Sequence, residues 1–242
     1  MTKFGPSDDL QGAEFMEVNL RGARFVESDL SGVVMRGIDI QGTEIDSPWL
    51  NEPGGSLKVN GIDVAAYVDA ELNRRYPGRA ERFAEDPDGL RAAWAATERT
   101  WATTVERAAK MPVGTVDVVV DGEWSFAQTQ RHLVHATDVW LGRGILELDD
   151  PYHPLGLKYG GTDAPGTTAP PYADVLEARA GRVAMVRDFL ATITPAELDA
   201  PRKNPHNPEH PESVRHCLHV IIGEEWEHHR FATRDLDTIE SR

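Results

Sequence analysis

The 242-residue chain has a single cysteine, Cys217, which excludes an internal disulfide and any cysteine-rich zinc site. Positive charge is also scarce: 25 Lys and Arg stand against 40 Asp and Glu, a formal net charge of −15. That balance excludes a general affinity for nucleic acid or for an anionic membrane, since both need a basic face. No apolar run approaches the roughly 18 residues of a membrane span. Met1-Thr2-Lys3-Phe4-Gly5-Pro6 opens no apolar segment of a signal peptide, so the cytoplasm is the expected compartment. Enough remains for a core. Hydrophobic residues make up 40% and charged residues 27%, the mix of a globular protein with one large domain or two smaller ones.

The first fifty residues repeat every five. Leu10, Phe15, Leu20, Phe25, Leu30, Met35, Ile40 and Ile45 stand at strict five-residue intervals. Ala13, Ala23, Ser28 and Thr43 place a small residue two positions ahead of several of them, with Val33 and Ile38 as larger replacements. Neither a helix, at 3.6 residues per turn, nor a strand, at 2.0, has this period. A square coil does, if each side turns one large apolar and one small residue inward. The pattern resembles the pentapeptide-repeat family. That resemblance implies a short right-handed quadrilateral β-helix over residues 1–50, with four repeats per coil. Two coils leave both ends of such a core open, so the segment is expected to cap or lean on another surface.

Asn51-Glu52-Pro53-Gly54-Gly55-Ser56 reads as a boundary, opening a linker over 51–61. Beyond it the periodicity is helical. The pattern predicts helices from Ile62 to Tyr76, from Asp86 to about Lys110, from Ser125 to about Leu146, from Tyr172 to Thr192 and from Glu212 to Asp237. A short extended piece is expected at Val116–Val120, and a short turn at Thr194–Glu197. Residues 149–172, rich in proline, glycine and aromatics, form a connection long enough to suggest a functional one. The expected fold class is α+β multidomain, with a four-helix bundle filling 62–242.

The candidate chemistry lies near the end of the chain. In Glu224-Glu225-Trp226-Glu227-His228-His229, helical spacing stacks Glu224 and His228 on one face, where both can bind one metal ion. His132 is the best third ligand, with His135 as its rival. An acid four residues before a histidine also occurs at Asp149/His153, Glu212/His216 and Glu225/His229. For Asp149/His153 and Glu225/His229 an ordinary charge pair on a solvated helix face is expected. Glu224/His228 differs because Cys217 and Ile221 share its stripe, which points it inward. There a buried carboxylate and imidazole need a partner. His216 and His219 are expected to pack or face solvent, and His153 to sit in a turn or line a pocket mouth. Trp140 and Trp226 are expected in the core or a pocket wall, and Cys217 as a small buried hydrophobe. The donor set suits zinc and also accommodates nickel or iron.

Trp124-Ser125-Phe126, Arg131-His132-Leu133, Cys217-Leu218-His219-Val220 and the Glu224–His228 segment together resemble the DinB superfamily of four-helix metal proteins. The likeness covers about residues 86–240 and is nearest to the mycothiol-dependent maleylpyruvate isomerases. It implies the ligands His132, Glu224 and His228, with glutamate where most members carry histidine. It further implies an open metal position, a low-molecular-weight thiol such as mycothiol as co-substrate, an electrophile as the second reactant, and a homodimer. No further catalytic or cofactor-binding residue is assigned. The alternative is a non-catalytic interaction protein that works through its acidic repeat surface, with the metal as a structural staple.

Overall fold

Asp9-Leu10-Gln11-Gly12-Ala13 recurs as Asn19-Leu20-Arg21-Gly22-Ala23, Asp29-Leu30-Ser31-Gly32-Val33 and Asp39-Ile40-Gln41-Gly42-Thr43, and each copy closes a turn. In the computed structural model, which describes residues 3–52, 54–161 and 168–242, the fifth residue's N–H donates to the second residue's carbonyl at 2.9–3.1 Å. The first residue's side-chain oxygen accepts from the third residue's N–H at 2.8–3.0 Å. The glycines sit at φ of 72–74°, the left-handed value a type II turn requires at that position.

These turns belong to the first of two units, Met1–Asp46; the second is Ser47–Arg242. The structural repeat of the first unit is ten residues, a doublet of the five seen in the sequence. No strand occurs among its described residues, so the expected quadrilateral β-helix is not formed. The cause is local bonding: backbone groups close i→i+3 turns, and eight repeats supply no interior coil that could pair on both sides. The large apolar residues from Leu10 to Ile45 accordingly stay 45–62% exposed.

The second unit begins with a 3₁₀ turn at Pro48–Asn51. Strands β1 (Lys58–Val59) and β2 (Ile62–Asp63) then pair antiparallel around Asn60-Gly61, both at positive φ as a two-residue hairpin prefers. Helix α1 (Ala65–Arg75) therefore starts three residues after the expected Ile62. Helix α2 (Pro87–Lys110) opens on Asp86, whose carboxylate accepts from Asp88 and Gly89 N–H, with Pro87 in the first turn. Val116–Val120 is not a strand. A 3₁₀ turn occupies Thr115–Asp117, and its bonds run back to Gly114 and Thr115.

Helix α3 (Phe126–Thr137) opens on a capping box of Ser125 and Gln128. The helix expected to continue to Leu146 changes at Asp138–Ile145 into π-helical turns. Helices α4 (Tyr172–Thr192) and α5 (Pro195–Leu198) follow. Strands β3 (Pro201–Arg202) and β4 (Glu212–Ser213) then form a second antiparallel pair. Glu212 is held in that pair, so α6 (Val214–Glu240) begins two residues later than expected, capped by Ser213. Met1, Thr2, Pro53 of the expected boundary and 162–167 of the expected connection lie outside the described residues.

Helix α3 packs on α4 and α6, and α2 packs on the same two. The four therefore form a bundle in which α4 and α6 face each other across the centre. One apolar cluster gathers Leu90, Trp94, Leu190, Leu218, Ile222 and Trp226, among others. A smaller one joins Trp101, Phe126, Leu133 and Leu236. Each fully buried aliphatic side chain stabilises the fold by about 1.5–3 kcal/mol. Thr97 on α2 falls between the residues of the two clusters, and Arg179 on α4 and Glu225 on α6 are buried as well. No described helix is long and apolar enough to cross a membrane.

Candidate metal centre

Two helices carry the donors. His132 lies in the second turn of α3, and Glu224 and His228 lie one turn apart on α6. The packing of α3 on α6 brings them together: one ligand atom from each falls within 4.8 Å of the other two. Glu224 Oε2 is the meeting point, 3.4 Å from His132 Nε2 and 3.1 Å from His228 Nε2. His132 is buried, while the Glu224 side chain keeps 33% of its surface open. The site is closed from within and accessible at the carboxylate.

The long connection holds this geometry. At Gly142 the π-helical turns come so close to Pro151 that a Cβ would meet the proline Cβ at 2.5 Å. The chain folds back there, and Asp138 accepts from the His153 N–H at 2.8 Å and from Arg182 Nε at 2.7 Å. Arg131 grips the connection at both atoms: Nε donates to Leu155 O at 2.9 Å, and its carbonyl accepts from Leu157 N–H at 3.1 Å. His132 Nδ1 then donates to Leu157 O at 3.0 Å. A carbonyl can only accept, so this bond places a proton on Nδ1 and turns Nε2 toward Glu224.

Burial opposes the charge on Glu224, yet the imidazole hydrogen bonds of His132 and His228 overcome it and hold the carboxyl well below its usual range. Burial pushes the His228 imidazole down, with His132 adding to the effect and Glu224 opposing it. At neutral pH the centre is an ionised carboxylate with one ring nitrogen of His132 and one of a neutral His228 on the same oxygen. A divalent cation can take the place of the ring protons among ligand atoms that already lie within 4.8 Å of one another. The residues present therefore fit a divalent metal ion.

The family model of the DinB superfamily matches residues 96–232. The chain belongs to the DinB superfamily. All three converging residues lie inside the match, and the model for pentapeptide repeats, in eight copies, matches residues 9–42. No curated protein and no solved structure matches the chain.

Within the DinB unit the other histidines separate cleanly. His135 turns away from the centre and stacks on Tyr152, with centroids 5.6 Å apart. His219 bonds to Ala84 O at 2.9 Å and His216 pairs loosely with Glu212 at 3.9 Å. His153 lines a surface cleft of about 350 Å³ with Leu155, Asp174, Glu177 and Arg182. Trp226 is core, Trp140 packs partly buried against it, and Cys217 is fully buried.

Two expected pairs are overturned. Asp149 and His153 lie outside any helix, and Asp149 instead approaches Arg143 at 3.8 Å. Glu225 and His229 do not form a solvated pair. Glu225 is 1% exposed and bound to Arg179 from across the bundle, and His229 meets Thr104 at 2.8 Å. Glu225 falls on the α6 face turned toward α4, where a solvated pair has no room. Trp124 is a site residue that helical spacing does not assign. Its ring lies over His132 at 4.6 Å and over His228 at 5.9 Å. Its position directly ahead of the Ser125 cap was the available signal.

Proposed function

We propose that the chain is a metal-dependent enzyme of the thiol-dependent transferase or isomerase type, with its metal held by His132, Glu224 and His228. The supporting observation is the convergence of His132 Nε2 and His228 Nε2 on Glu224 Oε2, at 3.4 and 3.1 Å, which puts three ligand atoms within 4.8 Å of one another. Two imidazoles and one carboxylate suit zinc best, and three protein ligands leave a position open, as in catalytic sites. A bound divalent ion would supply Lewis acidity, lowering the pKa of a thiol or water brought to that position.

The chain's own groups prepare the rest. His132 is held by the Leu157 carbonyl, Trp124 shields one side of both imidazoles, and the open edge of Glu224 gives access. The thiol must come from outside, because Cys217 is buried and its thiol is pushed up to about 11 by burial. Elemental analysis tests the reading. The parent is expected to hold about one zinc per chain, and H132A, E224A and H228A close to none. N-acetylcysteine should raise the Tm of the metal-loaded parent but not of the stripped protein. Equal metal content in the parent and all three variants would sink the proposal.

The unit Met1–Asp46 favours a second reading, because Phe15, Phe25 and Met35 are more than half exposed there. On that reading the repeat surface binds a protein partner and the metal only staples the bundle. Partner capture that survives metal removal would favour it.

A further inference from the structure

Each imidazole of the centre has a soft torsion about its Cβ–Cγ bond, and metal ligation tolerates only about 10–20° of misorientation. The Leu157 carbonyl restrains His132. What holds the two rings together is a third ring. Trp124 lies 35° from the plane of His132 with centroids 4.6 Å apart, and 26° from the plane of His228 at 5.9 Å. The two imidazoles are themselves 4.6 Å apart and inclined at 55°. A single flat surface thus backs ligands contributed by two different helices.

That surface is anchored independently. Trp124 Nε1 donates to Gly161 O at 3.0 Å, four residues beyond the Leu157 carbonyl that holds His132. Between those anchors, Tyr159 meets Trp124 at 84° and His132 at 61°, each with centroids 6.4 Å apart. The short stretch Leu157–Gly161 therefore fixes both a ligand and the ring behind it.

We propose that Trp124 is a positioning residue of the metal centre: its ring sets the orientation of His132 and His228 together, and its bond to Gly161 sets the ring. The inference rests on the reading that these residues bind a metal. Outer groups that orient ligands typically change metal affinity by about 10–100-fold. Trp124 covers one side of the imidazoles, so incoming groups approach from the open edge of Glu224.

Cobalt(II) alone is the probe, added to the full chain, with affinity read by chelator competition and geometry by the visible d–d bands. W124A is expected to weaken the cobalt Kd by about 10–100-fold and to shift and weaken the bands. W124F keeps a stacked ring and loses the Gly161 bond, so it should fall between W124A and the parent. V186A, in the apolar cluster, should lower Tm while leaving the cobalt spectrum unchanged, which separates positioning from general destabilisation. If W124A fails to fold, W124F decides between the outcomes. Parental Kd and parental bands in the folded variants overturn the role of Trp124. A parent that binds no cobalt overturns the metal reading beneath it, a different and distinguishable result.

Discussion

Glu224 and Glu225 are neighbours with opposite environments. Glu224 reaches the rim and stays ionised between two imidazoles, whereas burial pushes the carboxyl of Glu225 upward against the pull of Arg179. Cys217, two turns before Glu224 on the same helix, shows the third case, a group kept neutral by apolar surroundings. Its ordinary value of 9.0 rises to about 11. The sign follows directly. Between those values the unfolded chain has released this proton and the fold has kept it, so stability falls as pH rises from 9 toward 11. The total is about 3 kcal/mol for two units. Tyr172, pushed up to about 12 by burial, acts in the same direction at higher pH. Urea midpoints at pH 8 and 10.5 should therefore diverge more in the parent than in C217A; identical divergence would show that Cys217 carries none of the effect.

At the scale of elements, α6 divides its surface among three tasks. One face carries Glu224 and His228 toward α3, one carries Glu225 toward α4, and one carries Glu227 toward Arg79 at 3.3 Å. The Arg179–Glu225 pair crosses the bundle centre, where losing one partner strands a buried charge and costs about 3–5 kcal/mol. R179M should lose that much in urea unfolding, and R179M/E225L should recover most of it. A single variant within about 1 kcal/mol of the parent would refute the pairing.

The same helix shows what the sequence revealed. Spacing placed Glu224 and His228 on one face, because four residues make about one turn and that relation is local. It could not rank Glu225/His229 above a surface pair, because Arg179 and Thr104 are 46 and 125 residues away from their partners. The helix starts at Pro87 and Phe126 were legible from their caps, Asp86 and Ser125, whereas β3 and β4 were not, since two-residue strands leave no period. His132 was singled out as the best third ligand with His135 as its rival, and the resemblance implied the same residue; Trp124 became part of the site only once α3, α6 and the Leu157–Gly161 stretch had met.

For the whole molecule, the two units differ in what holds them. Ser47–Arg242 has apolar clusters crossed by a buried ion pair. Every described residue of Met1–Asp46 is exposed, and its turns close locally. Local opening follows from sparse burial, and proteases cut where opening is cheap. Brief trypsin treatment should therefore cleave first after Arg21, Arg24 and Arg36, leaving α2 to α6 intact, with mass spectrometry reading the fragments. Metal should slow later cleavage of the helical unit, because an ion bound only by the folded form stabilises it by about 2.7 kcal/mol at a hundred times its Kd. It should leave the rate at the three arginines unchanged, since no donor of the centre lies in that unit. Protection at Arg21 and Arg24 equal to that of α3 would mean instead that the repeats close their apolar side chains into a core, against the exposure of Phe15 and Phe25.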